Sequence, residues 1–248
     1  MKIIFESSLL SCQGTSVAVN DYAYYNQEIL GNESIILSKT QSNLNRTCNF
    51  THDPKAIEFF KKKYEVFFYE DWNEAEKIIE KTKSDLLYTL KSGVKDEIIS
   101  KNVKTCVHAV FKCLEPHGTV NAFISEWLSK NFLNNSYPFV PHIVTLPNVE
   151  GDLRESLNIP KNSIVIGRHG SKTTFNIPFV FEVVNDIIKE REDIYFLFLN
   201  TDNFCENFNN YKLIEHPRII HLPVTFDNNF KTKFINTCDV MLHARVNG

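Results

Sequence analysis

A chain of 248 residues can bury a sizeable core as one large domain or two medium ones, and 43% hydrophobic with 23% charged residues suits a soluble globular protein. A formal net charge of -3 and a pI near 6.2 exclude a protein that coats nucleic acid by bulk electrostatics. No stretch nears the roughly 18 apolar residues of a membrane span, and MKIIFESSLLSCQG is broken by Glu6, Ser7 and Ser8 too early for a secretory leader.

Along the chain, KIIF (2–5) reads as a strand, followed by a helical pattern over about 16–30 and a strand at IIL (35–37). VFFY (66–69) precedes the charged helix NEAEKIIEKTK (73–83), then DLLYTL (85–90), CVHAVF (106–111), VNAFIS (120–125) and HIVTL (142–146) continue as strands. These runs are too apolar to alternate, which argues for a parallel sheet covered on both faces. The rhythm breaks over 147–161, rich in proline and charge, then resumes with SIVIG (163–167), a helix near 178–190, YFLFL (195–199), IIHL (219–222), a helix near 228–236 and DVMLHA (239–244). The expectation is an α/β chain of two Rossmann-like, doubly wound domains, 1–150 and 151–248, facing a cleft at the carboxyl ends of both sheets.

SIVIGRHGSK (163–172) is the first chemical signal: a buried strand ends in glycines and two fixed cations, Arg168 and Lys172. Arginine offers a planar fork to phosphate oxygens and lysine a mobile point charge, while a following helix start adds N–H groups. The plain alternative is a solvated loop with two surface cations. The frame fits neither a Walker A loop nor GxGxxG. Gln13-Gly14-Thr15-Ser16, after the first strand, reads as a backbone anion site or as an ordinary N-cap; its position would set it opposite Arg168.

His108 in CVHAVF is by default a core histidine; His117, His221 and His243 stand in a loop or at strand ends. Neither HxxxH nor HxH spacing occurs, so no metal site is expected, and without GxSxG no hydrolase nucleophile is expected. The six cysteines (12, 48, 106, 113, 205, 238) are scattered without CxxC and read as thiols of a reducing, cytoplasmic compartment. Trp72 and Trp127 read as core, and Lys61-Lys62-Lys63 beside Glu58 and Glu65 as a solvated helix end.

IVIGRHGSK (164–172) and IIHLPVTFDNNFKTKFINTCDVMLHARVNG (219–248) together resemble the donor-binding domain of family-4 glycosyltransferases, retaining enzymes of the two-Rossmann GT-B type. PHIVTLPNVEGDLRESLNIPKN (141–162) is similar to that family's interdomain passage, and FISEWLSK (123–130) to a segment of its first domain. In the family two glutamates follow directly on the position of Asn247-Gly248, so the second domain is expected to be incomplete.

The resemblance implies transfer of a hexose, with retention, from a nucleotide-diphosphate sugar to a hydroxyl of a glycan or glycoprotein acceptor. GDP-mannose is favoured over UDP-sugars. Arg168 and Lys172 would hold the diphosphate, helped by the Gly14 and Thr15 backbone, without a required metal or other cofactor. Leu222 and Val224 would read the base, and His108 would stand near the donor sugar as the catalytic residue. A binding module without turnover and a nucleotide-sugar epimerase are the alternatives.

Overall fold

Six runs in the first half of the chain form strands: β1 (Lys2–Glu6), β2 (Glu33–Lys39), β3 (Glu65–Tyr69), β4 (Leu86–Lys91), β5 (Lys104–Ala109) and β6 (Val120–Phe123). All neighbouring pairs are parallel, in the order β3-β2-β1-β4-β5-β6. Connecting them are α1 (Gly14–Glu28), α2 (Gln41–Thr47), α3 (Pro54–Lys61) and α4 (Trp72–Lys81), with α5 (Glu126–Asn131) after β6. This computed structural model describes residues 1–12, 14–112, 115–132, 136–170, 174–205 and 208–243, residue 209 by its backbone alone. Contacts divide the chain into two units, Met1–Thr145 and Leu146–Gly248.

Period-two alternation explains why helices cover both faces of the first sheet. On one face Ile4, Ile35, Leu37 and Leu87 pack with Ala75 and Ile79 of α4. On the other, Phe5 meets Tyr88 with ring centroids 5.2 Å apart, and Tyr88 meets Tyr22 of α1 at 5.7 Å. The strand order turns back between β1 and β4, which makes the carboxyl end of β1 a topological switch point, where open α/β sheets receive ligands.

The second unit repeats the scheme. Its elements are β7 (Ile164–His169), α6 (Pro178–Glu190), β8 (Ile194–Leu199), a hairpin of β9 (Phe204–Cys205) and β10 (Phe208–Lys212), β11 (Ile219–Leu222), α7 (Asn228–Thr237) and β12 (Val240–Met241). The parallel order β11-β8-β7-β12 places the switch point between β7 and β12. Phe181 and Val184 of α6 pack with Phe196 and Phe198 on one face, while Val165, Leu197 and Leu199 pack with Phe234 of α7 on the other.

Three expectations about the elements differ from the structure, and Trp127, expected in the core, is exposed. HIVTL (142–146) is not a strand. Residues 138–140 already occupy the free edge of β6, where Phe123 N donates to the Pro138 carbonyl and Val140 N to the Phe123 carbonyl. That takes the edge of β6 from 142–146, and Val144 is exposed. DVMLHA forms only the two-residue strand β12: Leu242 and His243 lie outside the strand, and Ala244 lies outside the described residues. Helices α2, α3 and α5 and the β9–β10 hairpin add to the expected elements.

A candidate anion site at the strand ends of the second unit

Arg168 is the penultimate residue of β7, in register with Phe198 of β8. Its side chain turns to the α6 face and is 2% exposed. One terminal nitrogen donates to the Thr174 hydroxyl at 2.9 Å and the other to the His169 carbonyl at 3.2 Å. The guanidinium also lies over the Phe175 ring, 5.4 Å from its centroid, a stacking that suits the flat, weakly hydrated cation. A methyl group at Gly170 would fall 2.9 and 3.0 Å from the two terminal nitrogens, so the glycine lets the chain fold back over the guanidinium. Asn200 then ties the Gly170 carbonyl to the end of β8 at 2.8 Å.

Gly167 serves packing rather than ligand approach. A Cβ there would stand 2.2 Å from Cys238 Sγ and 3.1 Å from Met241 Sδ, so the end of α7 and β12 fill that space. Lys172 lies outside the described residues, as do Gln13, Cys113 and Asn134. Leu222 ends β11 opposite Leu199, and its carbonyl accepts from Asn200 N at 3.1 Å. Val224 follows in an exposed loop that leads to Asp227, the N-cap of α7.

In the first unit Gly14 begins α1, and a Cβ there would meet nothing within 4 Å, so the chain's own packing does not demand the glycine. Thr15 is exposed beside it. Ser16 is buried and staples the preceding loop, donating to the Leu9 carbonyl at 2.6 Å and accepting from Ser11 N at 3.2 Å. His52 adds a second tie, accepting from Leu10 N at 3.0 Å. The loop that presents Gly14 and Thr15 is thus held from several sides.

His108 lies within β5, 1% exposed, with Nδ1 2.6 Å from the Tyr88 hydroxyl. The rings of Tyr22 and His142 pack around it at 5.4 and 6.3 Å. Burial lowers its pKa to about 4; the nearby Val140 and Phe123 carbonyls oppose the shift, while no aligned hydrogen bond reaches Nε2 among the described residues.

The structure also assembles groups that sequence reading passed over. Glu6 ends β1 at the first switch point, 2% exposed, and accepts from the hydroxyls of Ser8 at 2.7 Å and Tyr69 at 3.0 Å. Burial raises its pKa against those bonds and the pull of Lys91 and Lys39. Lys91 pairs with Asp96 at 2.6 Å, and His117 Nε2 stands 3.8 Å from the same carboxylate oxygen. The sequence signal for Glu6 was available: a single acid closing an apolar strand. An apolar cavity of about 340 Å³, lined by Ile3, Phe5, Tyr22, Tyr25 and Tyr88 among others, opens beneath α1. Among the described residues no group of three His, Cys, Asp or Glu side chains is placed to hold a metal, and no helix is long and apolar enough to cross a membrane.

No protein-family model matches the chain, and no curated protein matches it in sequence. Solved structures do match. A glycosyltransferase from Rickettsia africae is similar with a TM-score of 0.59 at 15% identity, over 99% of this chain and 73% of that one. WaaG, a glycosyltransferase involved in lipopolysaccharide biosynthesis, gives 0.59 at 8% identity, over 98% and 75%. A candidate UDP-N-acetylglucosamine 2-epimerase from Listeria monocytogenes gives 0.57 at 13% identity, over 97% and 73%. At such identities the likeness shows the fold: an α/β chain of Rossmann-like parallel-sheet units, of the GT-B type.

Proposed function

We propose that the chain is a nucleotide-sugar-dependent glycosyltransferase, moving a hexose with retention to a hydroxyl of a glycan or glycoprotein acceptor. One observation carries the reading: a buried arginine, stacked and hydrogen-bonded in place, at the switch point of a Rossmann-like sheet. Two neighbours that are themselves glycosyltransferases support it. The donor favoured is GDP-mannose over UDP-sugars, on the family-4 resemblance.

The chemistry follows from charge. As the glycosidic bond to the diphosphate breaks, the anomeric carbon becomes oxocarbenium-like and negative charge grows on the β-phosphate. Fixed cations and N–H dipoles aimed at that charge lower the barrier without a protein nucleophile. Arg168 supplies one such cation by exchanging its bonds to Thr174 and the His169 carbonyl for phosphate oxygens. Lys172, four residues on, supplies a second, so the site places no demand on a metal. The first N–H groups of α1, at Gly14 and Thr15, offer a further backbone anion site, and Leu222 and Val224 border the base. By the family-4 resemblance, His108 stands near the donor sugar as the catalytic residue.

The likeness to the Listeria protein favours a second reading, a nucleotide-sugar epimerase. Incubating the protein with GDP-mannose or UDP-N-acetylglucosamine, with and without mixed glycan acceptors, separates the two. Release of nucleotide diphosphate that depends on acceptor, with a retained anomeric configuration in the product, supports the transferase. Epimerised or hydrolysed donor in the absence of acceptor contradicts it.

A further inference from the structure

We infer that His169 is a proton-linked member of the anion site, taking up a proton from solvent when a diphosphate binds and donating it as a hydrogen bond to a phosphate oxygen. This rests on the reading that the end of β7 receives the donor's diphosphate.

His169 is the last residue of β7 and is exposed. Because strand side chains alternate, it turns to the face opposite Arg168, where its ring lies 6.4 Å from Phe234 of α7. Among the described residues, the charged groups that act on it are both cations: Arg168 from its own strand and Lys231 from α7. Among the described residues, the neighbouring strand ends bring Leu199 and Asn200 from β8 and Met241, Leu242 and a second imidazole, His243, from β12. An imidazole in that setting stays neutral: crowding by the strand end and α7 lowers its pKa first, and Lys231 and Arg168 lower it further.

An anion reverses the field. A diphosphate set against Arg168 and Lys231 offsets both cations and adds negative charge of its own, so the charged imidazole becomes the favoured form. The free protein holds the depressed pKa and the complex a raised one, so affinity climbs as pH falls through the interval between them. Lysine or arginine in this position would bind the anion without any such dependence; histidine makes it conditional.

Calorimetric titration with GDP-mannose and UDP-N-acetylglucosamine tests this, since neither pyrophosphate diester titrates near neutrality. Repeating it in buffers of different ionisation enthalpy, between about pH 6 and 8, gives the proton uptake. The expected result is uptake of a fraction of one proton and affinity rising by up to about tenfold per unit fall in pH. His169→Gln abolishes the uptake and flattens the pH profile, while Lys231→Gln weakens binding and reduces the uptake, because its free-state imidazole is already less depressed. Binding without uptake, or uptake unchanged in His169→Gln, overturns the inference and leaves the transferase reading standing. Failure of both donors to bind at every pH defeats the transferase reading itself, and the inference with it.

Discussion

Two glycines near the two switch points do two different jobs, and substitutions separate them. Gly167 makes room for Cys238, so Gly167→Ala forces a methyl against sulfur and costs about 1–3 kcal/mol, the usual range for overpacking. Cys238→Ala in the same chain recovers part of that loss; urea unfolding of the pair checks it, and an unchanged midpoint in Gly167→Ala contradicts it. Gly14 faces open space at the start of α1, so Gly14→Ala leaves stability within about 0.5 kcal/mol or raises it slightly. Donor binding nevertheless falls in that variant if the backbone there holds phosphate. His108 gives a pH prediction at the same scale. Its folded pKa of about 4 is below the unfolded value of 6.5, so its neutral form stabilises the fold above 6.5 and that stability drains away as pH falls toward 4. The loss reaches about 3 kcal/mol at the acid end. Thermal unfolding from pH 7 to 4 should show a smaller acid-side decline in His108→Gln than in the parent.

The elements themselves show which parts of the fold local chemistry announces. Strands β1 to β5, β7, β8 and β11 stand where apolar runs demand them, because a strand buried on both faces has to be apolar throughout. Helix α4 is legible too, with Asp71 as N-cap and a charged outer face. Helix α3 is equally announced, by Asp53 capping at Lys55 N and Pro54 in the first turn. HIVTL misleads: its composition suits a strand, but pairing depends on a free edge, which only the tertiary arrangement reveals. At the site, the Arg168 position was readable from the strand–glycine–cation pattern, whereas the Phe175 stack and the opposing turn of His169 depend on packing across the sheet. Asp227 accepts from the N–H groups of Asn229 and Phe230 at the start of α7, the helix that carries Lys231. Asp227→Ala should cost about 1 kcal/mol of stability, measured by urea unfolding.

Across the whole molecule, the same plan occurs twice. The strand order β3-β2-β1-β4 of the first unit reappears as β11-β8-β7-β12 in the second, each with its central strand ending at a switch point. Likeness to solved structures extends over 97–99% of the chain and 73–75% of each neighbour, while identity stays at 8–15%. The architecture is therefore kept by buried apolar pattern and topology, while the proposed chemistry falls to a few residues at the strand ends. Of these, Arg168 bears most of the functional argument. Calorimetric titration of the intact chain with GDP, UDP and their sugar conjugates, beside Arg168→Lys and Arg168→Ala, tests it most directly. One nucleotide-diphosphate class should bind in the micromolar range, and Arg168→Ala should weaken it by about 1.5–3 kcal/mol, the value of a charge-assisted hydrogen bond. Arg168→Lys should fall between, keeping the charge but losing the fork. Absence of binding by every nucleotide diphosphate, or equal affinity in a folded Arg168→Ala, would contradict the account.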